Sequence, residues 1–421
     1  MGVESRTARE NPGDRIAFGA LITFAVVMYT APSEWIRGLE SVRLAFISSV
    51  VAAAFVAIGR LARREPIFLD GVRGAAALAF ALWALASTKW SIYPDVSQGE
   101  GLEILKLAAI FLTMVNVVTT PKRLAVFAVA MVLASMVTSW HVIEWYHRGE
   151  DLVEGFRARW VGVYADPNHM AMDVGIVVPL GVAAMVRRKN PLWLRALCAA
   201  AVVMAVTAIV YSHSRGGFIG LVVAMTVWIF LEKSRRMATL ILGGALAIAL
   251  LVFAPKSFWE RNETLTSFHD DASAMGRVYA WEVAAGMSAD HPLAGVGIGG
   301  FRFAWPLYAR PEARRAYVAH NVYLDAVGEL GFVGLLLYLM FTGGAAAGAL
   351  AGTRSRNSGW VAAGIASAVA GYIVCSLFSG YMTSAHFFVL CGLAGCAERA
   401  MRGEVTGDAP ARSSALSPAT Y

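Results

Sequence analysis

Long apolar runs make up most of the chain, and short polar segments separate them. Many of these runs have about 16 to 20 residues, the length that an α-helix needs to cross a ~30 Å hydrocarbon core. The pattern therefore predicts an all-α polytopic integral membrane protein with about twelve transmembrane helices. These helices are predicted at residues 16–32, 42–59, 72–87, 101–119, 124–143, 169–186, 193–211, 216–231, 237–254, 322–346, 359–378 and 384–397.

The amino-acid composition agrees with a membrane location. Of the 421 residues, 57% are hydrophobic and 15% are charged, whereas a soluble domain carries about 25% charged residues. The net charge of +7 then reflects basic loops beside the membrane, and no nucleic-acid partner is expected. All four cysteines lie within apolar runs, so neither disulfides nor a structural metal site is predicted.

Clusters of Lys and Arg predict how the chain is oriented. With the N-terminus in the cytoplasm, the basic clusters at 60–64, 187–190 and 232–236 all fall on the cytoplasmic side. Short cytoplasmic loops are enriched in Lys and Arg, so both termini are predicted to be cytoplasmic. The two longest polar segments, 144–168 and 255–321, then lie on the outer face, where we expect the functional site.

The segment 255–321 is long enough to form a small subdomain. Its stretch 275–289 has the pattern of an amphipathic helix, with Val278, Trp281 and Ala285 on one face. The C-terminal residues are small, polar and Pro-containing, which predicts disorder. The predicted division places helices 1–9 in residues 1–254, an outer loop subdomain in 255–321 between helices 9 and 10, helices 10–12 in 322–402, and a cytoplasmic tail in 403–421.

Arg215 lies in a short turn, SHSRGG, between two apolar runs. A permanent charge near the hydrocarbon is costly unless an anion meets it. Gly216 and Gly217 allow close backbone approach, and the start of the next helix adds N–H groups that favour an anion. A guanidinium binds two phosphate oxygens at once, so Arg215 and Gly216 are predicted to bind a phosphate group. The alternative is an arginine that snorkels from a helix end; His213 is a candidate supporting residue.

His320 is the second candidate, at the point where the long outer loop enters the tenth predicted helix. Histidine is the usual general base near neutral pH, although a capping or packing role is the open alternative. Asn321 follows it directly. Asp325 and Glu329 are four residues apart and share a helix face, so either is a candidate to orient the imidazole or to line a wet cavity.

Arg277, in GRVYAWE, is a second candidate anion ligand on the outer face.

Three further motifs have simpler interpretations. The glycines at 295–300 formally match G-x-G-x-x-G but lack a βαβ context, so they predict a tight turn. His141 and His147 are six residues apart, which is not zincin spacing. Asn168 is a plausible cap for the helix that follows it.

The set of motifs, in this order along the chain, resembles the O-antigen ligase and polymerase family of bacterial envelope glycosyltransferases. No single piece is specific, but together they extend over nearly the whole chain. The matching pieces are STKWSIYPDVS (87–97), GVYADPNHMA (162–171), SHSRGG (212–217), GRVYAWE (276–282), HPLAGVGIGGF (291–301) and HNVYLDAVGELGFVGL (320–335).

This resemblance implies a specific fold, location and reaction. The fold would be similar to the GT-C class, in the bacterial inner membrane with the active site on the periplasmic face. A glycan would move from an undecaprenyl-diphosphate carrier to a lipid A–core hydroxyl, without nucleotide sugar, divalent metal or other cofactor. Arg215 and Arg277 would hold the donor diphosphate, and His320 would activate the acceptor hydroxyl. No residue pair suited to a covalent route is evident, so a single displacement with inversion is predicted.

Other functions fit parts of the same pattern. A Wzy-type polymerase, which extends one lipid-linked glycan with another, would use the same donor chemistry. A variant that transfers the glycan to protein is less well supported because little chain follows the twelfth helix. A multi-span transporter of lipid-linked glycan or small solutes is the alternative from another class, but the chain lacks two matching halves with a long central cytoplasmic link.

Overall fold

The computed structural model describes residues 12–233, 236–237, 244, 272–313 and 316–407. Within these residues the protein is helical, and seven helices are long and apolar enough to cross a membrane. The chain is thus a polytopic membrane protein, as predicted. Every predicted transmembrane segment except 237–254 coincides with one helix or, for 169–186, with the two consecutive helices Pro167–Gly175 and Val177–Val186. Apart from residues 237 and 244, that segment lies outside the described residues, so the number of twelve stays a prediction.

The helices follow one another along the chain with short connections between most of them. They are α1 (Pro12–Thr30), α2 (Pro32–Trp35), α3 (Leu44–Arg63), α4 (Gly71–Ala86), α5 (Pro94–Val117), α6 (Pro121–Arg148), α7 (Pro167–Gly175), α8 (Val177–Val186), α9 (Leu192–Tyr211), α10 (Arg215–Leu231), α11 (Ala272–Asp290), α12 (Phe301–Tyr308), α13 (Val322–Gly352), α14 (Gly359–Cys375) and α15 (Ala385–Gly407). The last helix reaches a few residues into the predicted tail, and residues 408–421 lie outside the described part.

Small residues let the helices that carry the site approach one another closely. A Cβ built on Gly220 of α10 would lie 2.8 Å from the carbonyl oxygen of Gly371 in α14. The reverse contact, from Gly371 to the carbonyl of Gly220, would be 2.6 Å. Membrane helices associate through such small-residue contacts because apolar side chains gain little by leaving lipid. The start of α10 is therefore anchored by tight packing.

Helix α13 is interrupted at Gly331, which has φ 69° and ψ −174°. A Cβ at this position would lie 2.2 Å from the carbonyl carbon of Leu293, so only glycine fits. The break exposes backbone groups that the loop 291–300 engages, including the amide of Phe332, which donates to the carbonyl of Pro292 at 2.7 Å. Irregular backbone is tolerated at membrane depth where protein buries it in this way.

The glycine-rich loop 295–300 is a tight turn, as predicted from its sequence. Gly295, Gly297 and Gly299 all have positive φ, between 65° and 96°. The segment 87–97 packs onto this loop: Ser97 Oγ donates to the carbonyl of Ile298 at 2.6 Å. Three of the sequence motifs, at 87–97, 291–301 and 329–331, therefore interlock into one scaffold.

Helix α11 confirms the helix predicted at 275–289, but a different face of it is packed. Val283, Ala284 and Met287 are buried in a second apolar cluster with α12 and the neighbouring loop. Of the predicted face, Trp281 is 38% exposed and Ala285 is exposed. The packed face follows the contact with α13 and α12 rather than the size of the apolar side chains.

Candidate active site

The turn SHSRGG begins α10 and is closed by its own serines. Ser214 is the N-cap, and its Oγ accepts the amide of Gly217 at 3.2 Å. The amide of Ser214 in turn donates to Ser212 Oγ at 3.1 Å. Arg215 is therefore the first residue of the helix, where the positive end of the helix dipole adds to its charge. The location favours an anion.

Gly216 and Gly217 allow the close approach predicted for them, and the neighbours that approach are protein atoms. A Cβ on Gly216 would lie 2.8 Å from Cβ of Phe378, and one on Gly217 would lie 2.6 Å from Cβ of Ala171. Alanine at either position would thus push on the loop after α14 or on α7. Phosphate binding at the Gly216 amide stays a prediction.

His213 supports the same turn from within. Its backbone has a positive φ of 51°, and its side chain is 2% exposed. Nδ1 lies 2.9 Å from the carbonyl of Tyr211, so it donates a hydrogen bond to it. The ring edge packs against Phe156 with centroids 5.1 Å apart. These contacts help to hold the turn in shape, and a supporting role of His213 in the site stays a prediction.

His320 lies immediately before α13, in a backbone conformation that side chains rarely adopt. Its φ is 49°, which costs about 1–3 kcal/mol for a residue other than glycine and is concentrated at functional sites. The backbone is held on both sides of His320: Trp281 Nε1 donates to the carbonyl of Ala319 at 3.0 Å, and the amide of Val322, two residues after His320, donates to the carbonyl of Ser376 at 3.0 Å. The backbone that carries the imidazole is therefore held in place.

Asn321 caps α13 and also helps to hold the backbone beside His320. Its Oδ1 accepts the amides of Tyr323 at 3.0 Å and Leu324 at 3.2 Å. An N-cap contributes about 1 kcal/mol to a helix. The Asn321 side chain thus has a structural contact, and it fixes where the helix starts relative to His320.

The surroundings of His320 keep its imidazole neutral. Burial, followed by the positive charge of Arg277, lowers the pKa of His320 to about 4. Asp166 opposes this effect, whereas His169 and Arg157 add to it. Nδ1 is buried and has no hydrogen-bond partner among the residues that the structure describes. Arg277 and His320, two residues predicted for the site, therefore lie close enough for the charge of Arg277 to lower the pKa of His320.

Arg157 connects this group to the turn that carries Arg215, and the sequence interpretation missed it. Its side chain is 5% exposed. Nε donates to the carbonyl of Ser212 at 3.1 Å, and one Nη donates to Asn168 Oδ1 at 2.7 Å. Arg157 lies in a polar segment between two helices, and the burial of a side chain cannot be read from such a loop sequence.

The start of α7 corrects one prediction. The cap is Asp166, whose Oδ1 accepts the amides of Asn168 at 2.7 Å and His169 at 3.1 Å. Asn168 is the second residue of the helix and binds Arg157 instead. Burial acts to raise the pKa of Asp166, but the charge of His169, the amides and His320 outweigh it, so the pKa is lowered. Asp166 is thus a carboxylate beside the candidate site.

Glu329 is engaged by the glycine-rich loop. Its Oε2 accepts the amide of Gly299 at 2.8 Å, and its Oε1 accepts the amide of Phe301 at 3.1 Å. The carboxylate therefore joins the loop to α13 at the helix break. Asp325 is partly buried one turn earlier in α13. Orientation of the imidazole by either acid stays a prediction, and the contacts of Glu329 indicate a scaffold role.

A buried network that joins Asp173 of α7 to His386 of α15 was also missed. His386 and Asp173 are each 1% exposed, and Nδ1 of His386 lies 3.1 Å from Oδ2 of Asp173. Nε2 of His386 lies 2.9 Å from the hydroxyl of Tyr164, which donates to the carbonyl of Met28 at 3.0 Å. That hydroxyl therefore accepts from Nε2, and Nδ1 faces a carboxylate.

The signal for this network was present in the sequence. Asp173 and His386 lie inside predicted transmembrane segments, and ionisable residues at such positions are rare and face the helix bundle.

In the described ranges, no group of three or more His, Cys, Asp or Glu side chains is arranged to hold a metal ion. His141 instead stacks on Trp160, with ring centroids 4.7 Å apart.

Comparisons with known proteins include a match over the segment that contains Arg215, Arg277 and His320. Residues 199–339 match the O-antigen ligase family (Wzy_C). The chain is also 25% identical over 282 residues to the exopolysaccharide production protein ExoQ of Rhizobium meliloti (strain 1021). That alignment covers 62% of this chain and 62% of the relative, so less than two thirds of either protein is matched. These comparisons confirm the resemblance to the O-antigen ligase and polymerase family.

Proposed function

Because these comparisons support membership of the O-antigen ligase and polymerase family, we propose that the protein is a membrane glycosyltransferase of the ligase type. It moves a glycan from an undecaprenyl-diphosphate carrier to a lipid A–core hydroxyl. The single observation that carries this proposal is the neutral, rigidly held His320 beside Arg277, joined through Arg157 to the turn of Arg215. This arrangement combines a proton acceptor with positive charge for an anionic leaving group.

The arginines act on the donor. Arg215 and Arg277 bind the diphosphate, and the amide of Gly216 at the start of α10 adds a further donor. As the glycosidic bond breaks, negative charge grows on the diphosphate oxygen that leaves. Cationic groups arranged in advance at that position stabilise the transition state, the same task that a metal ion performs in other enzymes. The reaction is therefore proposed to need no metal and no other cofactor.

His320 acts on the acceptor. A sugar hydroxyl is a weak nucleophile, and a neutral imidazole nitrogen accepts its proton as the new bond forms. The bound diphosphate offsets the charge of Arg277, which raises the low pKa of His320 toward the working pH range. One proton moves from the hydroxyl to His320, the carrier diphosphate leaves, and a single displacement inverts the anomeric centre.

The proposal includes a location and an architecture. The protein lies in the bacterial inner membrane with both termini in the cytoplasm and the site on the periplasmic face. The subdomain 255–321 covers this site, between helices 9 and 10 of a GT-C-like arrangement of twelve helices, and 403–421 forms the tail. The positions of the basic clusters in the sequence support this orientation.

A Wzy-type polymerase is the second candidate. The relative named for exopolysaccharide production favours it, because polymer synthesis needs repeated transfer between lipid-linked glycans. The donor half of the reaction would be unchanged, so Arg215, Arg277 and His320 would keep their roles. The two candidates differ only in the acceptor.

Deletion of the gene, followed by analysis of surface glycans, separates the candidates. If the protein is a ligase, we expect the deletion strain to have lipid A–core without polymer and to accumulate polymer on the carrier. A polymerase predicts core that carries single repeat units. Reconstitution of the purified protein with carrier-linked glycan and acceptor tests for an enzyme directly, because a transporter would move the glycan without forming a new glycosidic bond.

A further inference from the structure

Arg157 contacts two separate parts of the candidate site. Through Nε it holds the carbonyl of Ser212, three residues before Arg215, and through Nη2 it holds Asn168 at the start of α7. We propose that Arg157 is a positioning residue that fixes the turn bearing Arg215 against α7, an inference that rests on the proposed function for its effect on glycan transfer. Nothing in the sequence pattern assigned a role to this residue.

The backbone around Arg157 supports a fixed geometry. Val153 and Arg157 exchange backbone hydrogen bonds at 3.0 Å and 2.9 Å, which closes a tight loop. The next residue, Ala158, donates its amide to the carbonyl of Tyr211 at 2.8 Å. The guanidinium and the main chain therefore both hold the end of α9, directly before the turn. A displacement of the segment 157–158 would displace that turn as well.

The chemistry of the side chain explains why arginine is needed here. A guanidinium is planar and presents donors in a rigid fork, so it satisfies two acceptors that lie in different directions. A lysine is a single point charge on a flexible stem and cannot reproduce both contacts. Because Arg157 is only 5% exposed, a bulky lipid diphosphate has little access to it. It thus acts through Arg215 rather than as a ligand.

Arg157 also acts on His320 through its charge. Among the residues that the structure describes, the charged or titratable groups that act on the pKa of His320 are Arg277 on α11, His169 on α7, Asp166 before α7, and Arg157. Arg157 itself has Glu154 Oε1 at 3.6 Å, on a side chain that is 44% exposed. Loss of the positive charge of Arg157 raises the pKa of His320. The acid limb of a pH–rate profile therefore moves to higher pH when the charge is removed.

The test uses the full-length protein in proteoliposomes with carrier-linked glycan as donor. Arg157→Gln removes both the positive charge and the planar guanidinium. Arg157→Lys keeps the charge but not the guanidinium, and Asn168→Ala removes only one of the two acceptors that Arg157 binds. Arg148→Gln is the matched control, because Arg148 belongs to the same outer region and is 59% exposed. The readouts are kcat, KM for the donor, the pH profile of kcat/KM, and hydrogen–deuterium exchange of the amides in 212–217.

The expected results separate geometry from charge. Arg157→Gln and Arg157→Lys lower kcat/KM by about 10-fold to 100-fold, the size expected when a reacting group is misplaced. Only Arg157→Gln moves the acid limb to higher pH. Both variants speed exchange at 212–217, whereas Arg148→Gln changes none of the readouts.

Wild-type kinetics and exchange in Arg157→Gln would overturn the positioning role. If the wild-type protein transfers no glycan, the proposed function fails, and the exchange data still decide whether Arg157 fixes the turn. Unaltered exchange in Arg157→Gln would then contradict the proposal independently of activity.

Discussion

Two arginine clusters in this protein are built differently. At the start of α4, Arg73 is 5% exposed, with Nε 2.6 Å from Asp70 and Nη2 3.1 Å from Glu398. Its third contact is the carbonyl of Gly344 in α13, at 2.7 Å. The acids thus match the charge of this cluster inside the protein. Its role is to join α4, α13 and α15.

The cluster at the predicted outer face, which we call the outer cluster, consists of Arg157, Arg215, Arg277 and His320. Its charges are balanced differently. The charges of Arg277 and Arg157 lower the pKa of His320, Asp166 opposes that effect, and Glu154 Oε1 lies 3.6 Å from Arg157. Arg215 adds a further positive charge through the turn that Arg157 holds. A buried arginine alone therefore indicates nothing about ligands. Cationic groups beside a neutral base, such as Arg277 and Arg157 beside His320, are what favours an anionic substrate.

The largest effect is expected from the outer cluster. Replacement of Arg215, Arg277 or His320 by Ala should lower glycan transfer by at least about 10²–10³-fold, because each removes a group that acts on charge or proton in the transition state. Membrane expression and thermal stability should stay close to wild type. Transfer assays on purified variants check this, and near-wild-type transfer by Arg215→Ala would contradict the phosphate assignment.

The cluster at α4 should respond in the opposite way. Arg73→Gln leaves the carboxylates of Asp70 and Glu398 without their buried cation, and such a loss costs about 3–5 kcal/mol of folding stability. The Tm in detergent should fall strongly, while the folded fraction keeps its transfer activity. Arg402→Gln is the control, because Arg402 binds the same Glu398 from a position that is 72% exposed. Loss of transfer without loss of stability in Arg73→Gln would erase the difference between the clusters.

A smaller effect is expected at Glu329, which serves the scaffold. Glu329→Gln keeps one oxygen acceptor but turns an amide group toward the second backbone N–H, which costs about 1–3 kcal/mol. Thermal unfolding should shift accordingly, and the kinetics of the folded protein should stay near wild type. A large fall in kcat with unchanged stability would show instead that Glu329 takes part in the chemistry.

The smallest expected effect is that of pH near neutrality on kcat/KM. The imidazole accepts a proton only in its neutral form, and the pKa of His320 is about 4 in the free protein. The value of kcat/KM reports groups of the free enzyme. It should therefore stay level through neutral pH and fall only as the pH approaches about 4. A limb near the ordinary histidine pKa of about 6.5 would contradict the environment assigned to His320.

The sequence predicted the helices well because apolar length and polar interruptions are local properties. It also selected Arg277 and His320, which the structure places together, because charge and histidine are conspicuous beside apolar runs. Arg157 was missed because its burial depends on a loop fold with no periodic signal. The face of α11 was assigned wrongly because large apolar side chains such as Trp281 do not always point into a core.

Helix capping shows the same limit. Both Asp166 and Asn168 are good caps by residue type, and the choice between them follows from Arg157, which occupies the side-chain oxygen of Asn168. Glu329 is a candidate for chemistry by its position in the sequence, although its partners are backbone amides 28 and 30 residues away. Such long-range hydrogen bonds leave no pattern in one sequence.

Binding of undecaprenyl diphosphate to the purified protein tests the central claim most directly. Affinity is measured for wild type, Arg215→Ala, Arg277→Ala and His320→Ala in the same detergent. We expect that either arginine variant weakens binding by at least about 10-fold, the loss of one charge-assisted contact, and that His320→Ala binds like wild type. Equal affinity in all four proteins would contradict the claim that the outer cluster holds the diphosphate.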